Sequence, residues 1–219
     1  MNAIQDIFRF AVAAGDNTPG LADRLPAPLI HFDEHKNKDY YGFIAVYDKR
    51  VIVSIRGSED LENWIEDFKA APLAQHGGCH DGFYQIFDFF KDWIHLFFLQ
   101  EQERDVICTG HSMGAAVATL IAEQLASDPV LKAKRDISNI NFASPMLYTQ
   151  SGRDAYNHLP LNTTRVFLKF DPVPLLPGFQ YRHVGNGYYC PEPCYDFFLL
   201  AENHYPSIYK KYIDKKAGA

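Results

Sequence analysis

The sequence predicts an α/β protein in which a central, mostly parallel twisted sheet is covered by helices on both faces. Three observations carry this. Short β-branched or aromatic runs alternate with longer helical patterns along the chain, which is the order of a parallel sheet with crossover helices. The first two runs, Tyr40–Tyr47 and Val51–Ile55, are separated only by Asp48-Lys49-Arg50, a hairpin signature that adds antiparallel strands at one side. Finally, 219 residues at 47% hydrophobic can fill one core, and no repeat or low-complexity linker divides them, so one domain over 1–219 is expected.

The elements follow in order. Ile4, Ile7, Phe8 and Ala11 recur at helical spacing, and Gly15 ends that helix. Asp16–Pro28, rich in Pro, Gly and Asp, reads as loop, and the hairpin comes next. Asp60–Ala70 sets Leu61, Trp64, Ile65 and Phe68 on one face and acidic or polar residues elsewhere, as in a short amphipathic helix. Ala71–His80, with Pro72 and Gly77-Gly78, is a connection. Gly82–Gln102 is a long helix with an aromatic buried face. Val106–Cys108 is a strand and Ala115–Ala126 a helix. Ile137–Ala143 and Val166–Phe170 are strands, the second stopped by Asp171-Pro172. Asp154–Leu159 reads as a short helix, Arg182–Val184 or Gly187–Tyr189 as a strand, and Tyr205–Ile213 as a closing helix.

Composition narrows the function. The net charge is −6 with no basic run, so nucleic acid and anionic lipid headgroups are poor electrostatic partners. Aromatic residues make up 15% of the chain; most belong in the core, and the excess suits apolar ligands. No segment reaches the roughly 18 apolar residues of a transmembrane helix. The N-terminal stretch, carrying Asp6 and Arg9, does not read as a signal peptide, which leaves open a cytoplasmic location, export without a cleavable signal, or a leader already removed. Cys108 reads as a reduced, packed thiol. Cys190 and Cys194 form either a small disulfide loop or, with His183 or Cys79-His80, part of a metal set. Neither spacing matches a strong zinc pattern, and no metal or cofactor is expected.

Asp105–Thr119, DVICTGHSMGAAVAT, carries the chemistry. A strand meets Gly110-His111-Ser112-Met113-Gly114 and passes straight into a helix, the context in which G-x-S-x-G marks a nucleophile elbow. The glycines let strand and helix turn tightly, forcing Ser112 into a strained conformation with its hydroxyl exposed. A serine hydroxyl needs a base, and the base an orienting carboxylate. Downstream, only Asp171 directly follows a convincing buried strand, whereas Asp128 and Asp136 flank a connection at the opposite edge. His158 precedes Asp171 and breaks the expected order Ser, Asp, His; His183 lies within or beside a strand; His204 sits in a polar loop before the last helix. An oxyanion hole needs two N–H donors, which Met113 and the turn Arg56-Gly57-Ser58 would supply. The helix near 59–69 then has two readings: a surface helix, or a lid whose Leu61, Trp64 and Ile65 cover the site in water.

Together these residues resemble the class 3 lipases, the fungal-type triacylglycerol lipase family of α/β-hydrolase fold. The resemblance runs from about Tyr40 to Ile213 through VIVSIRGSEDLENWIEDF, CHDGFY at Cys79, TGHSMGAAVA, FASP at Phe142, KFDPVPLLP around Asp171 and NHYPSIY around His204. It implies Ser112 as nucleophile, Asp171 as orienting carboxylate, His204 as base, Ser58 and Met113 as oxyanion donors, and the helix around Trp64 as lid. The expected activity is hydrolysis of acyl esters of lipids, with transient contact at a lipid–water interface. Phospholipase A1 or acyltransferase chemistry on the same triad, and a catalytically silent lipid-binding module, are the alternatives. The chain departs from better-known secreted members in its short Asp171–His204 stretch, which contains CPEPC.

Overall fold

The computed structural model describes residues 3–15, 20–58, 77–101, 104–190 and 202–217. The expected lid at 59–69, with Leu61, Trp64 and Ile65, and the CPEPC partner Cys194 lie outside the described residues. Helix α1 (Ala3–Ala13) and the single turn α2 (Leu21–Arg24) lead into three strands, β1 (His31–Lys36), β2 (Tyr41–Val46) and β3 (Arg50–Ile55). Then follow α3 (Asp81–Gln100), β4 (Asp105–His111), α4 (Met113–Ser127), α5 (Pro129–Lys132), β5 (Ile137–Phe142), α6 (Gln150–Asn157) and β6 (Asn162–Leu168). A 3₁₀ turn (Val173–Leu175), β7 (Asn186–Cys190) and α7 (Pro206–Ala217) complete the described elements.

The seven strands lie side by side in sequence order, antiparallel from β1 to β3 and parallel from β3 to β7. Each parallel step moves the same way across the sheet. Right-handed crossovers therefore put the intervening helices on one face. The side chains agree: α3 and α4 share a core with Ile44, Val51, Val53, Val106 and Cys108. The other face falls to the helices nearest the chain's two ends. Phe8 and Ala11 of α1 and Tyr209 and Ile213 of α7 cover Phe43, Ala45, Ile52, Phe142 and Val166. β2 alternates between these two cores, which is why its residues are buried throughout.

Several boundaries differ from the sequence expectation. β1, HFDEHK, was not foreseen, because its charged residues give no apolar alternation; it is the sheet's edge, where charge is tolerated and useful against further pairing. Within the expected loop 16–28, α2 forms a single turn after Gly20, whose φ is 82°. β6 begins at Asn162 and ends at Leu168, since pairing of Asn162-Thr163-Thr164 with β5 carries the ladder through polar residues. α6 starts at Gln150 because the Thr149 side chain caps it, accepting from Gly152 N. Of the two candidate segments for the last strand, Gly187–Tyr189 lies within β7, while Arg182 makes only an isolated bridge to Tyr148. Cys108 is a buried free thiol, and burial pushes its pKa up.

Candidate active site

The elbow is built by contacts that leave no room for side chains. A Cβ on Gly110 would lie 2.5 Å from the backbone of Gly114, and one on Gly114 would overlap the Ile55 carbonyl of β3. Strand β4 and helix α4 can therefore meet at a single residue, and Ser112 takes φ 58° and ψ −130° to make the turn. Such a conformation costs a non-glycine residue about 1–3 kcal/mol and persists only where its surroundings enforce it. Met113 opens α4, so its N–H is among those that helix geometry leaves without an intrahelical acceptor. Gly57 passes against the elbow: a Cβ there would stand 2.8 Å from the His111 carbonyl oxygen and 3.4 Å from Ser112 Cβ. Only glycine brings the Arg56-Gly57-Ser58 turn this near the serine.

Asp171 follows β6 and is wholly buried, with no lysine or arginine on it among the described residues. Hydrogen bonds offset its desolvation instead. Val173 N donates to Oδ1 at 2.9 Å, Tyr209 Oη to Oδ2 at 2.6 Å, and His204 Nδ1 lies 3.0 Å from both oxygens. An ionised carboxylate only accepts, so Nδ1 carries the proton and Nε2 keeps the basic lone pair. His204 is itself held by its loop, where Asn203 Nδ2 donates to Phe170 O at 3.3 Å. The Ser112 hydroxyl, expected to be exposed, is instead buried where β4 and α4 meet, and neither Ser112 Oγ nor the buried His204 Nε2 has a hydrogen-bond partner among the described residues.

Both residues line a cavity of about 250 Å³ at the carboxyl edge of the parallel strands. Its walls come from Arg56, Gly57 and Ser58, from His111 and Ser112, from His204, Tyr205 and Pro206, and from Ala11, Val12 and Gly15 at the end of α1. Two larger clefts, between α3 and α4 and between β1 and α3, contain none of Ser112, Asp171 or His204. The structure thus brings together Ser58, Ser112 and His204 around one space, with Asp171 directly behind the histidine.

The other candidates lie elsewhere. His158 is exposed, its ring 2.6 Å from Asp154 O. His183 Nε2 lies 2.8 Å from Pro174 O, and burial, then the Arg165 guanidinium, hold its pKa down to about 4. Asp128 caps α5, accepting from Val130 N and Leu131 N. Among the described residues, no group of three or more His, Cys, Asp or Glu is arranged to hold a metal ion, and no helix is long and apolar enough to cross a membrane.

Sequence reasoning missed the supports. Tyr209 is fully buried and bridges the site, accepting from Leu168 N at 3.2 Å while donating to Asp171. The His111 ring lies 4.8 Å from the His204 ring, tilted 42° to it, and edge-on to Tyr209 at 5.4 Å. Its burial, with His204 adding to it, holds it well below the usual histidine pKa, so it stays neutral. The available signal for Tyr209 was its place in the first turn of a helix just after His204, where an aromatic with a polar tip faces inward.

The class 3 lipase family model matches residues 52–181. The chain is 30% identical over 155 residues to secreted mono- and diacylglycerol lipase 1 of Fusarium solani, covering 64% of this chain and 44% of that protein. It is 29% identical over 176 residues to secreted mono- and diacylglycerol lipase A of Penicillium cyclopium, covering 74% and 55%. The chain thus spans about half the length of the curated relatives it matches. Among solved structures, a lipase from Rhizopus microsporus var. chinensis superposes with a TM-score of 0.71 at 21% identity, covering 87% of this chain and 74% of that one, a likeness of fold.

Proposed function

We propose that this chain, which belongs to the class 3 lipase family, is a serine carboxylic-ester hydrolase acting on acyl esters of lipids. The observation that carries the reading is a buried carboxylate that fixes one tautomer of His204, on a cavity shared with a strained Ser112. Ser112 Oγ attacks the ester carbonyl carbon as its proton passes to His204 Nε2, and Asp171 steadies the imidazolium. The oxyanion accepts from the N–H groups of Ser58 and Met113. The intermediate collapses, and the leaving alcohol takes the proton from Nε2. Water then attacks the acyl-serine with His204 as base, releasing the carboxylic acid and restoring Ser112.

Mono- and diacylglycerols, named for the Fusarium and Penicillium relatives, are the lipids to try first. The shared sheet beneath both cores supports reading 1–219 as one domain. Segment 59–69 is part of the proposal as a lid, because Ser58, from which it runs, lines the cavity. The lid reading expects Trp64 fluorescence and activity to change together when substrate passes from dissolved to aggregated form; constancy of both makes the helix fixed surface.

The test of the function is a panel of p-nitrophenyl esters of rising chain length, acylglycerols and a phospholipid, run with Ser112→Ala beside the unsubstituted chain. Ester turnover should fall at least about 10³-fold in the variant. Turnover that survives Ser112→Ala removes the proposal, and fatty acid released mainly from the phospholipid shifts it to phospholipase chemistry.

A further inference from the structure

The end of α1 stands in the active-site cavity although the chain's reaction needs nothing from it. Its side chains there are small and uncharged. Ala11 is buried, Val12 partly so, and Gly15 closes the helix with N–H donated to Val12 O at 2.9 Å. The helix is fixed in place: Ser54 Oγ of β3 donates to Phe10 O at 2.8 Å in the interior, and Ile7, Phe8 and Ala11 lie in the core with Tyr209 and Ile213. A wall held this firmly can discriminate by size.

The direction of the chemistry says which part of the substrate meets it. From a tetrahedral carbon on Ser112, the oxyanion points to Ser58 and Met113, and the leaving oxygen must point to His204 Nε2, which protonates it. Tyr205 and Pro206, which follow His204 in the chain, line the same cavity as Ser58 and the end of α1. Whatever the leaving oxygen carries enters the cavity on the side of His204, and the end of α1 helps to enclose that cavity. The cavity's 250 Å³ falls just below the roughly 300–1,000 Å³ of most ligand pockets, enough for a compact group and too little for a long chain beside it.

We infer that the last turn of α1 is the binding wall for the alcohol portion of the ester, and that Ala11 and Val12 set the size of alcohol accepted. The inference rests on the ester-hydrolase reading and adds a subsite to it. A bulky group at position 12 should select for small alcohols without acting on the acyl side.

The experiment compares two ester series in the full chain. One holds the acyl group as butyrate and varies the alcohol through methyl, benzyl and naphthylmethyl; the other holds p-nitrophenol and varies the acyl group from acetate to decanoate. Val12→Phe should move the methyl-to-naphthylmethyl ratio of kcat/KM about tenfold or more toward methyl, and Val12→Ala should move it the other way. The acetate-to-decanoate ratio should change less than about threefold in either variant. If Val12→Phe does not fold, the ratio in Val12→Ala decides alone. The subsite is wrong if the alcohol ratio stays put or the acyl ratio moves instead. Hydrolysis by the unsubstituted chain with unmoved ratios sinks only this subsite, whereas no hydrolysis of any ester sinks the ester-hydrolase reading along with it.

Discussion

At the scale of single residues, the site is a set of local constraints around one strained serine. Ser112 pays for its φ of 58° with stability, so Ser112→Gly should abolish turnover while raising the free energy of unfolding by about 1 kcal/mol; chemical denaturation checks this, and a loss of stability would contradict it. Gly57→Ala sets a methyl carbon 2.8 Å from the His111 carbonyl, so the turn must withdraw from the elbow. Turnover should then drop about 10²-fold or more, as for loss of an oxyanion donor, with the fold kept. Tyr209→Phe removes the donor to Asp171 Oδ2 and should lower kcat about tenfold, with KM little changed and the pH–rate profile displaced; an unchanged profile would make Tyr209 mere packing. The elbow, Asp171 and His204 were legible in the sequence because each is marked by its immediate neighbours: glycines two residues away, a strand ending at a proline, a polar loop before a helix. Tyr209, His111 and the α1 wall were not. Their roles depend on which way a side chain points once a helix has docked across the sheet, and periodicity marks them only as core.

At the scale of elements, the deciding fact is that α4 lies almost against β3 and β4, which its small residues allow. Beneath it, β5 turns two asparagines inward, and Thr119 of α4 accepts from both: Asn139 Nδ2 at 2.9 Å and Asn141 Nδ2 at 3.2 Å. Thr119 also donates to Ala115 O. Thr119→Val takes the shared acceptor from two buried amides and should destabilise the protein by about 1–3 kcal/mol, with Thr119→Ser restoring most of it. Equal melting temperatures for Val and wild type would show that the network carries no weight. Strands β2 to β4 were readable as apolar runs, and β5 as a run broken by its asparagines. β1 was not, since an edge strand exposes what a central strand hides, and the start of β6 was hidden by three polar residues that pair with β5 all the same.

At the scale of the whole molecule, the two faces of the sheet divide the work. The crossover helices form one core, and the terminal helices α1 and α7 meet on the other, beside the site. The α/β class, the parallel sheet and its leading hairpin follow from the order of runs; the strand order across the sheet does not, because periodicity carries no information on which neighbour a strand chooses. Burial also sets the response to acid. His183 is held neutral down to a pKa of about 4, and His111 is held low for the same reason. The unfolded chain, with histidines near 6.5, binds protons that the fold refuses at these two sites, so their contribution to stability falls as pH drops from about 6.5 toward 4. For His183 the loss is roughly 3 kcal/mol across that window. His183→Gln should lose that part of the slope in denaturation measured at pH 7 and pH 4, and an identical slope would contradict the assignment. One measurement reaches the nucleophile directly: treating the folded chain with a fluorophosphonate and locating the adduct by peptide mass spectrometry. One label per chain is expected, on Ser112, with labelling slowed in His204→Ala and gone in Ser112→Ala. A folded chain that takes no label, or takes it on another serine, would contradict it.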